Sequence, residues 1–311
     1  MRVVSLLASA TEIICALEAG EVLVGRSHEC DNPDWVRRLP ACSEPTFDVS
    51  GSSAAIDAEV RRRVRAGEPL YRIHDELIRS LAPDVVIAQS HCEVCAVTPG
   101  DVRTTEIPIV ALSAGSLDKI FDSMIAVARA LGMEDRGRAL VSGQRARLDS
   151  LRARTGLLPR PRVTVLEWTD PIFPAANWIP ELLEGAGAES ALSSGGGHSS
   201  ATNAELLAAA DPDCIVVAPC GFDLERSWQE LAVLERNAWW QRLRAVRSGR
   251  VAFADGNRFF NRSGMTVVRT AEILAEMVHG IVSGERTEND PRCWRWLRPR
   301  ADDRRFRSGT R

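Results

Sequence analysis

Two segments about half a chain apart share one pattern, in which a Pro-Asp pair leads directly into an unbroken apolar run. The pair at 83–84 precedes the run 85–88, and the pair at 212–213 precedes the run 214–218. Continuous apolar runs of this length are typical of parallel strands that helices cover on both faces. The repetition therefore predicts two related α/β lobes, each with its own parallel sheet.

The stretch between the two patterns is helical in character, with apolar residues at helical spacing over 116–155. It predicts a helical spacer, either one long helix or two in line, that connects the lobes. The predicted organisation has four parts, namely an N-terminal lobe over 1–115, a connecting helix over 116–158, a C-terminal lobe over 159–284 and an irregular tail over 285–311. Ligands of open α/β sheets collect beyond the carboxyl ends of the strands.

Composition excludes several classes of protein. The chain has 311 residues, 45% hydrophobic and 26% charged, which is globular composition. No apolar run approaches the ~18 residues of a membrane span, and a net charge of −3 gives no general attraction to nucleic acid. The opening residues form no secretory signal, which predicts a cytoplasmic location with reduced thiols. A misannotated start would make the protein extracytoplasmic.

Chemistry-bearing residues cluster just beyond the predicted strands, or shortly after them in the case of one tryptophan. Tryptophan offers a large flat surface with one N–H donor, which suits a bulky planar ligand. The predicted ligand-binding residues are Ser9, Glu12, His28, Cys30, His91, Cys92, Glu167, Trp168, Trp178, Cys220, Phe222 and Asn257. No nucleophile elbow or HExxH motif is present, and no catalytic residue is predicted.

The spacing Cys92-x-x-Cys95 has three interpretations. It is half of a metal site that Cys30 and His28 complete with S and N ligands for zinc, cobalt or iron; it is a redox pair at a helix N-terminus; or it packs a tight loop. The second and third interpretations stay open beside the first.

Seven short motifs together resemble the cobalamin-binding branch of the periplasmic-binding-protein superfamily, the class III proteins for vitamin B12 and iron chelates. They are residues 4–12 (VSLLASATE), 28–31 (HECD), 70–73 (LYRI), 92–97 (CEVCAV), 166–168 (LEW), 218–222 (APCGF) and 255–257 (DGN). No secretory signal is predicted, and several cysteines lie in predicted loops. In these two respects the chain resembles a cytoplasmic, Cys-rich form of this branch.

The resemblance implies two Rossmann-like lobes bridged by one long helix, with a ligand cleft between them and binding without catalysis. The implied ligand is cobalamin or another corrinoid, contacted by Trp168, Trp178 and Phe222, and the implied partner is an ABC permease. The alternative from the cysteine spacing is a protein that binds zinc, cobalt or iron directly, as a metallochaperone, sensor or enzyme. Thiol redox catalysis ranks last.

Overall fold

The computed structural model describes residues 1–90, 96–103, 106–281 and 293–297. The chain divides into two units, one formed by Met1–Arg147 with Arg262–Val267 and the other by Leu148–Asn261 with Val268–Arg311. Each unit is an α/β structure whose main sheet contains adjacent parallel strands, and the predicted fold class is confirmed.

The first unit contains a four-stranded parallel sheet and a small antiparallel pair. Its strands are β1 (Val3–Ser5), β2 (Leu23–Arg26), β3 (Ser43–Pro45), β4 (Tyr71–Ile73), β5 (Val85–Gln89) and β6 (Ile109–Leu112). The sheet order is β2-β1-β5-β6, and β3 pairs with β4. The strands β1 and β5 are fully buried because helices cover both faces of the sheet, as the apolar run 85–88 predicts.

The α-helices described in the first unit are α1 (Ala8–Ala16), α2 (Ser53–Ala66), α3 (Asp75–Ser80), α4 (Leu117–Ala130) and α5 (Glu134–Thr155), the last of which continues into the second unit. The hydroxyl groups of Ser52 and Ser116 accept backbone N–H bonds at the starts of α2 and α4. Residues 71–73 form a strand that pairs with β3.

The helical stretch predicted over 116–158, as one long helix or two in line, forms two helices. Helix α4 ends at Ala130, Gly132 adopts a left-handed conformation with φ +71°, and α5 begins at Glu134. A residue without a Cβ takes this conformation at little cost, which ends one helix and lets the next begin. Helix α4 packs against α1 and β6 in the first unit, and the boundary between the units falls inside α5.

The second unit is built on a mixed sheet with the order β12-β11-β10-β7-β8, and β9 pairs with β7. Its strands are β7 (Arg162–Thr169), β8 (Ile172–Pro174), β9 (Glu189–Ser190), β10 (Cys214–Val217), β11 (Val251–Ala254) and β12 (Trp294–Trp296). Strands β7, β10 and β11 are parallel, whereas β8 and β12 run antiparallel to their neighbours. Leu166, Trp240 and Phe253 are fully buried in its core.

Five helices belong to this part of the chain: α6 (Ile179–Gly185), α7 (Ala204–Ala210), α8 (Leu224–Glu235), α9 (Arg244–Arg247) and α10 (Val267–His279). The side chains of Asn203 and Asp223 cap α7 and α8. The tail predicted as irregular differs from the structure at β12, where alternate residues of a Trp-Arg-Trp segment extend the sheet beside β11. Among the described helices, none combines the length and the apolar character that a membrane crossing requires.

Candidate functional site

The first unit gathers polar side chains beyond the carboxyl ends of β1 and β2, a region called here the first carboxyl edge (residues 9–12 and 27–32). Helix α1 starts three residues after β1, which places Ser9 and Glu12 in its first turns. The loop after β2 carries His28, Cys30 and the residues that follow. The four predicted site residues of this edge therefore lie on two neighbouring strand connections.

A buried ionic cluster, made of Glu12, Asp31, Asn32 and Arg262, occupies this edge. Nη1 of Arg262 donates to Oε1 of Glu12 at 2.8 Å and to Oδ1 of Asp31 at 2.7 Å, and Nδ2 of Asn32 donates to the same Glu12 oxygen at 2.9 Å. The Arg262 and Glu12 side chains are only 4% and 3% exposed. One buried cation thus neutralises carboxylates from two connections of the first unit.

The segment that carries Arg262 approaches α1 very closely. A Cβ at Gly264 would lie 2.7 Å from the Cβ of Ser9, so only glycine fits between this segment and the helix. Ser9 itself is buried, and neither its Oγ nor Oε2 of Glu12 has a hydrogen-bond partner among the described residues. These two predicted ligand residues are therefore covered by protein in this structure.

Cys30 is a buried thiol held by hydroxyl groups. The Thr11 hydroxyl lies 3.1 Å and the Ser27 hydroxyl 3.4 Å from its Sγ. Burial raises the pKa of the Cys30 thiol, which disfavours the thiolate that a metal ion requires. Across the described residues, no group of three or more His, Cys, Asp or Glu side chains could hold a metal ion. The predicted partners Cys92 and Cys95, and His91, lie outside the described residues.

His28 is held by the β3–β4 pair. Its Nδ1 lies 2.9 Å from Oγ of Ser43 on β3, its backbone N–H donates to the same oxygen at 3.3 Å, and its ring contacts Tyr71 on β4 at 5.4 Å between centroids. Burial, with a smaller effect of Arg26, lowers the pKa of His28 to about 4, and Glu44 acts in the opposite direction. The imidazole is therefore neutral at physiological pH.

Glu29 lies between His28 and the ionic cluster. Burial raises its pKa to about 7, Arg262 acts to lower that value, and Asp31 adds to the rise. The pKa of the Glu29 carboxyl group is therefore higher than that of the neighbouring His28 imidazole, which is the reverse of the usual order. Loss of solvation is the main cause of both shifts.

The second unit gathers aromatic side chains beyond β7, β10 and β11, a region called here the second carboxyl edge (residues 167–169, 218–222 and 255–257). Two backbone hydrogen bonds join the three connections, from Cys220 N–H to the Glu167 carbonyl at 3.0 Å and from Asn257 N–H to the Phe222 carbonyl at 2.9 Å. Five predicted site residues therefore meet at one edge of this sheet.

The residues after β11 pack closely against the residues after β10 at this edge. A Cβ at Gly256 would lie 2.1 Å from the carbonyl oxygen of Pro219, which excludes any side chain there. A π-helical turn over Gly256–Phe260 follows, and Asn261 comes directly after it. Nδ2 of Asn261 donates to the Ala218 carbonyl at 2.9 Å, which is a second contact between this turn and the residues after β10.

Trp168 and Phe222 form an aromatic pair at this edge. Their ring centroids are 5.3 Å apart and the planes are tilted by 57°. The guanidinium carbon of Arg226 lies 3.8 Å from the Phe222 centroid, which is a cation–π distance. Phe222 is buried, Trp168 is half-buried and Cys220 is exposed, so the edge of the pair that solvent reaches belongs to Trp168.

Three predicted site residues differ in setting from the sequence expectation. Trp178 is 6% exposed and its Nε1 has no hydrogen-bond partner among the described residues, so it packs inside the second unit beside α6. Glu167 and Trp168 belong to the final residues of β7, because the antiparallel partner β8 extends that strand to Thr169.

Sequence reasoning missed Arg226 and Arg262. Arg226 follows Phe222 by four residues, and that spacing at the start of α8 was a usable signal for a ring–cation contact. Arg262 lies 231 residues from Asp31 and 250 residues from Glu12, and no local pattern connects them.

Comparison with known proteins gives one family and a set of similar folds. A family model described as periplasmic binding protein matches residues 3–257. Solved structures that share the fold include the vitamin B12 binding protein BtuF of Vibrio cholerae, which is 21% identical with a TM-score of 0.64 and is aligned over 89% of this chain and 95% of that one.

A periplasmic heme binding protein from Pseudomonas aeruginosa is also 21% identical, with a TM-score of 0.64 over 89% of this chain and 90% of that one. A periplasmic binding protein from Veillonella parvula is 18% identical, with a TM-score of 0.68 over 90% of this chain and 91% of that one. The curated proteins contain no match. Because the family model spans most of the chain, this protein belongs to the periplasmic binding protein family, and its fold is that of the class III members.

Proposed function

We propose that this protein binds a planar metal chelate, cobalamin or another corrinoid, and delivers it to an ABC permease without catalysing a reaction. The observation that carries the proposal is the aromatic pair at the second carboxyl edge, with Trp168 half-buried beside Phe222. Its position beyond parallel strands is where ligands of open α/β sheets bind. Family membership and structural similarity to proteins named for vitamin B12 and heme support the ligand class.

The aromatic pair suits a large ring system for a physical reason. Phe222 contacts both the Trp168 ring and the guanidinium carbon of Arg226, which lies 3.8 Å from the Phe222 centroid. Because these contacts already restrict the Phe222 ring, little of its conformational entropy is lost when a flat ligand covers Trp168. Trp168 then contributes apolar area and one N–H donor at a single position.

Binding is tested with purified protein mixed separately with cyanocobalamin and with hemin. Co-elution on gel filtration, quenching of tryptophan fluorescence and calorimetry report binding, and we expect cyanocobalamin to bind more tightly. Trp168→Ala should weaken binding about tenfold or more, the effect of a buried aromatic anchor. Trp239→Ala is the matched control, because Trp239 is also half-buried in this unit but packs beside Trp240 in the core.

Absence of binding to both chelates by folded protein would contradict the proposal. Metal analysis of protein purified without chelators tests the alternative of a directly bound ion. That alternative requires about one equivalent of metal in the wild-type protein and its loss in Cys92→Ser. The cytoplasmic location expected from the sequence remains a prediction, and fractionation of cells that express the full-length gene tests it.

A further inference from the structure

A hydrogen bond between two buried side chains joins α8 to the end of β7. Glu230 of α8 is 5% exposed, and its carboxyl group accepts the hydroxyl hydrogen of Thr169, which is 3% exposed. Burying a carboxyl group costs free energy unless it is hydrogen-bonded, and an apolar side chain at such a position is often equally or more stabilising. The pair therefore contributes a fixed direction between two elements more than it contributes stability.

The two elements that this hydrogen bond joins carry the two rings of the aromatic pair. Trp168 directly precedes Thr169 in β7, and Phe222 comes two residues before the first residue of α8. Arg226, whose guanidinium lies over the Phe222 ring, is on α8 one turn before Glu230. A movement of α8 along the end of β7 would therefore change how the two rings meet.

The end of β7 requires such a fixed point because its pairing with β8 is irregular. The register shifts by one residue between Leu166 and Trp168, so Glu167 is an extra residue on the β7 side. An extra residue of this kind bends a strand and changes where the following side chains point, and such bulges are common beside functional sites. Thr169 lies directly beyond this bulge, and its hydrogen bond to α8 fixes the direction of the strand there.

We propose that Glu230 is a positioning residue of the chelate site. Through the Thr169 hydroxyl it holds α8 at one place on the end of β7, and it thereby sets the position of the Trp168 ring against Phe222. This inference rests on the proposed function, which places the chelate on the Trp168 ring. Glu230 and Thr169 are both buried, so their effect on affinity passes through the aromatic pair.

The first experiment needs no chelate. NMR spectra of the wild-type protein should show nuclear Overhauser contacts between the Trp168 and Phe222 rings, whose centroids are 5.3 Å apart. Thr169→Val keeps the shape of the side chain but removes the hydroxyl, and we expect it to shift the Trp168 indole resonance and to weaken these contacts. Thr169→Ser keeps the hydroxyl and should retain them. Unchanged ring contacts in folded Thr169→Val would overturn the proposal.

The matched control is Thr155→Val. Thr155 is a threonine of the same unit that is 2% exposed, and its hydroxyl donates to the backbone carbonyl groups of Leu151 and Gly185. Its substitution also removes a buried hydroxyl, but it should leave the Trp168 resonance unchanged. An equal change in this control would show a general loosening of the unit and overturn the proposal. Because no ligand is involved, failure here is distinguishable from failure of the proposed function.

The second experiment measures affinity for cyanocobalamin and for hemin by calorimetry. Thr169→Val should weaken binding of the recognised chelate about threefold to tenfold, the range that one hydrogen bond contributes, and Thr155→Val should bind as the wild-type protein does. Glu230→Gln should have a smaller effect than Thr169→Val, because its amide oxygen still accepts the hydroxyl hydrogen. Wild-type affinity in Thr169→Val would overturn the proposal. Absence of binding by the wild-type protein would contradict the proposed function, and the ring contacts then decide whether Glu230 positions the pair.

A double-variant cycle tests whether the effect passes through Trp168. In a Trp168→Ala background, Thr169→Val should cause no further loss of affinity, because the ring that it displaces is already absent. An equal fold-loss in both backgrounds would mean that Thr169 affects the chelate by another route, and it would overturn the proposal.

Discussion

The two carboxyl edges occupy the same position in two related α/β units but are built from opposite chemistry. At the first edge, charged side chains from distant parts of the chain neutralise one another around Arg262. At the second edge, aromatic rings pack against a cation and backbone carbonyl groups lie in close contact. The difference shows that a shared fold specifies where a site can lie, while the side chains decide what it can bind.

The largest expected effect tests whether the ionic cluster organises the first edge. Arg262→Met leaves the buried carboxylate of Glu12 without its cation and removes the nearer of the two cations beside the partly exposed Asp31. We expect a loss of about 3–5 kcal/mol in the free energy of unfolding. Urea denaturation measures it. The matched control is Arg129→Met, since Arg129 also pairs with a carboxylate, that of Glu134, but is 61% exposed.

The control substitution should leave the free energy of unfolding almost unchanged, because exposed ion pairs contribute little. Equal losses in the two variants would contradict the view that burial gives the Arg262 cluster its importance. An unchanged stability of Arg262→Met would contradict it more directly.

The second prediction concerns backbone packing at the second edge. Gly256→Ala places a methyl group 2.1 Å from the Pro219 carbonyl oxygen, so the backbone must shift, and we expect a loss of about 1–3 kcal/mol. Gly143→Ala is the control, because a methyl group there meets nothing within 4 Å and the residue lies inside α5. That substitution should instead stabilise the protein by up to about 1 kcal/mol through helix propensity. Losses in both variants would show that the close approach at 256 is not the cause.

A third prediction is a pH dependence that belongs to the first edge. His28 has a pKa lowered from 6.5 to about 4, so the unfolded chain binds its proton more readily and His28 reduces stability as the pH falls through this window. Glu29 has a pKa raised from 4.5 to about 7, so the folded protein binds its proton more readily and Glu29 reduces stability as the pH rises through that window. Between pH 4.5 and 6.5 the two contributions oppose each other.

Single variants separate these slopes. In Glu29→Gln the stability should rise with pH between about 4 and 6.5, and in His28→Gln it should fall as the pH rises from 4.5 to about 7. Urea denaturation at a series of pH values measures both, and the wild-type protein serves as the reference. Parallel slopes in the two variants would show that these groups do not carry the effect.

The smallest expected effect is one that the two units should share. Ser116→Ala removes the cap of α4 and Asp223→Ala removes the cap of α8, and each should cost about 1 kcal/mol. Thermal unfolding compares the two. A much larger loss for Asp223→Ala would indicate that this cap also positions the neighbouring Phe222, which would refine the view of the second edge as an aromatic site.

Much of the fold was predictable because its signals are local. The apolar runs at 85–88 and 214–218 became β5 and β10, since a continuous apolar segment requires helices on both faces. The pattern over 116–155 left one helix or two in line open, because a glycine such as Gly132 occurs both inside and at the ends of helices, and the structure shows the break there. Strand β12 was missed because three residues become a strand only beside β11.

The location of the candidate residues at the sheet edges could be predicted from the sequence, and their surroundings less so. The structure places Glu12 and Cys30 at the first carboxyl edge and Trp168 and Phe222 at the second, because parallel sheets bring the carboxyl ends of their strands together. It could not show that Trp178 is buried, since aromatic residues near a strand end serve both cores and ligands.

By itself, the sequence determined the two α/β units, the strand ends that carry polar and aromatic residues, and a resemblance to a family of chelate-binding proteins. Only the tertiary structure placed Arg262 on carboxylates more than 230 residues away and set the Ser43 hydroxyl against His28. The physical reason is the separation in sequence over which each interaction acts. Helix caps and apolar runs involve residues that are neighbours in sequence. Buried ion pairs and the hydrogen bonds of a buried ring depend on residues that only folding brings within hydrogen-bond distance.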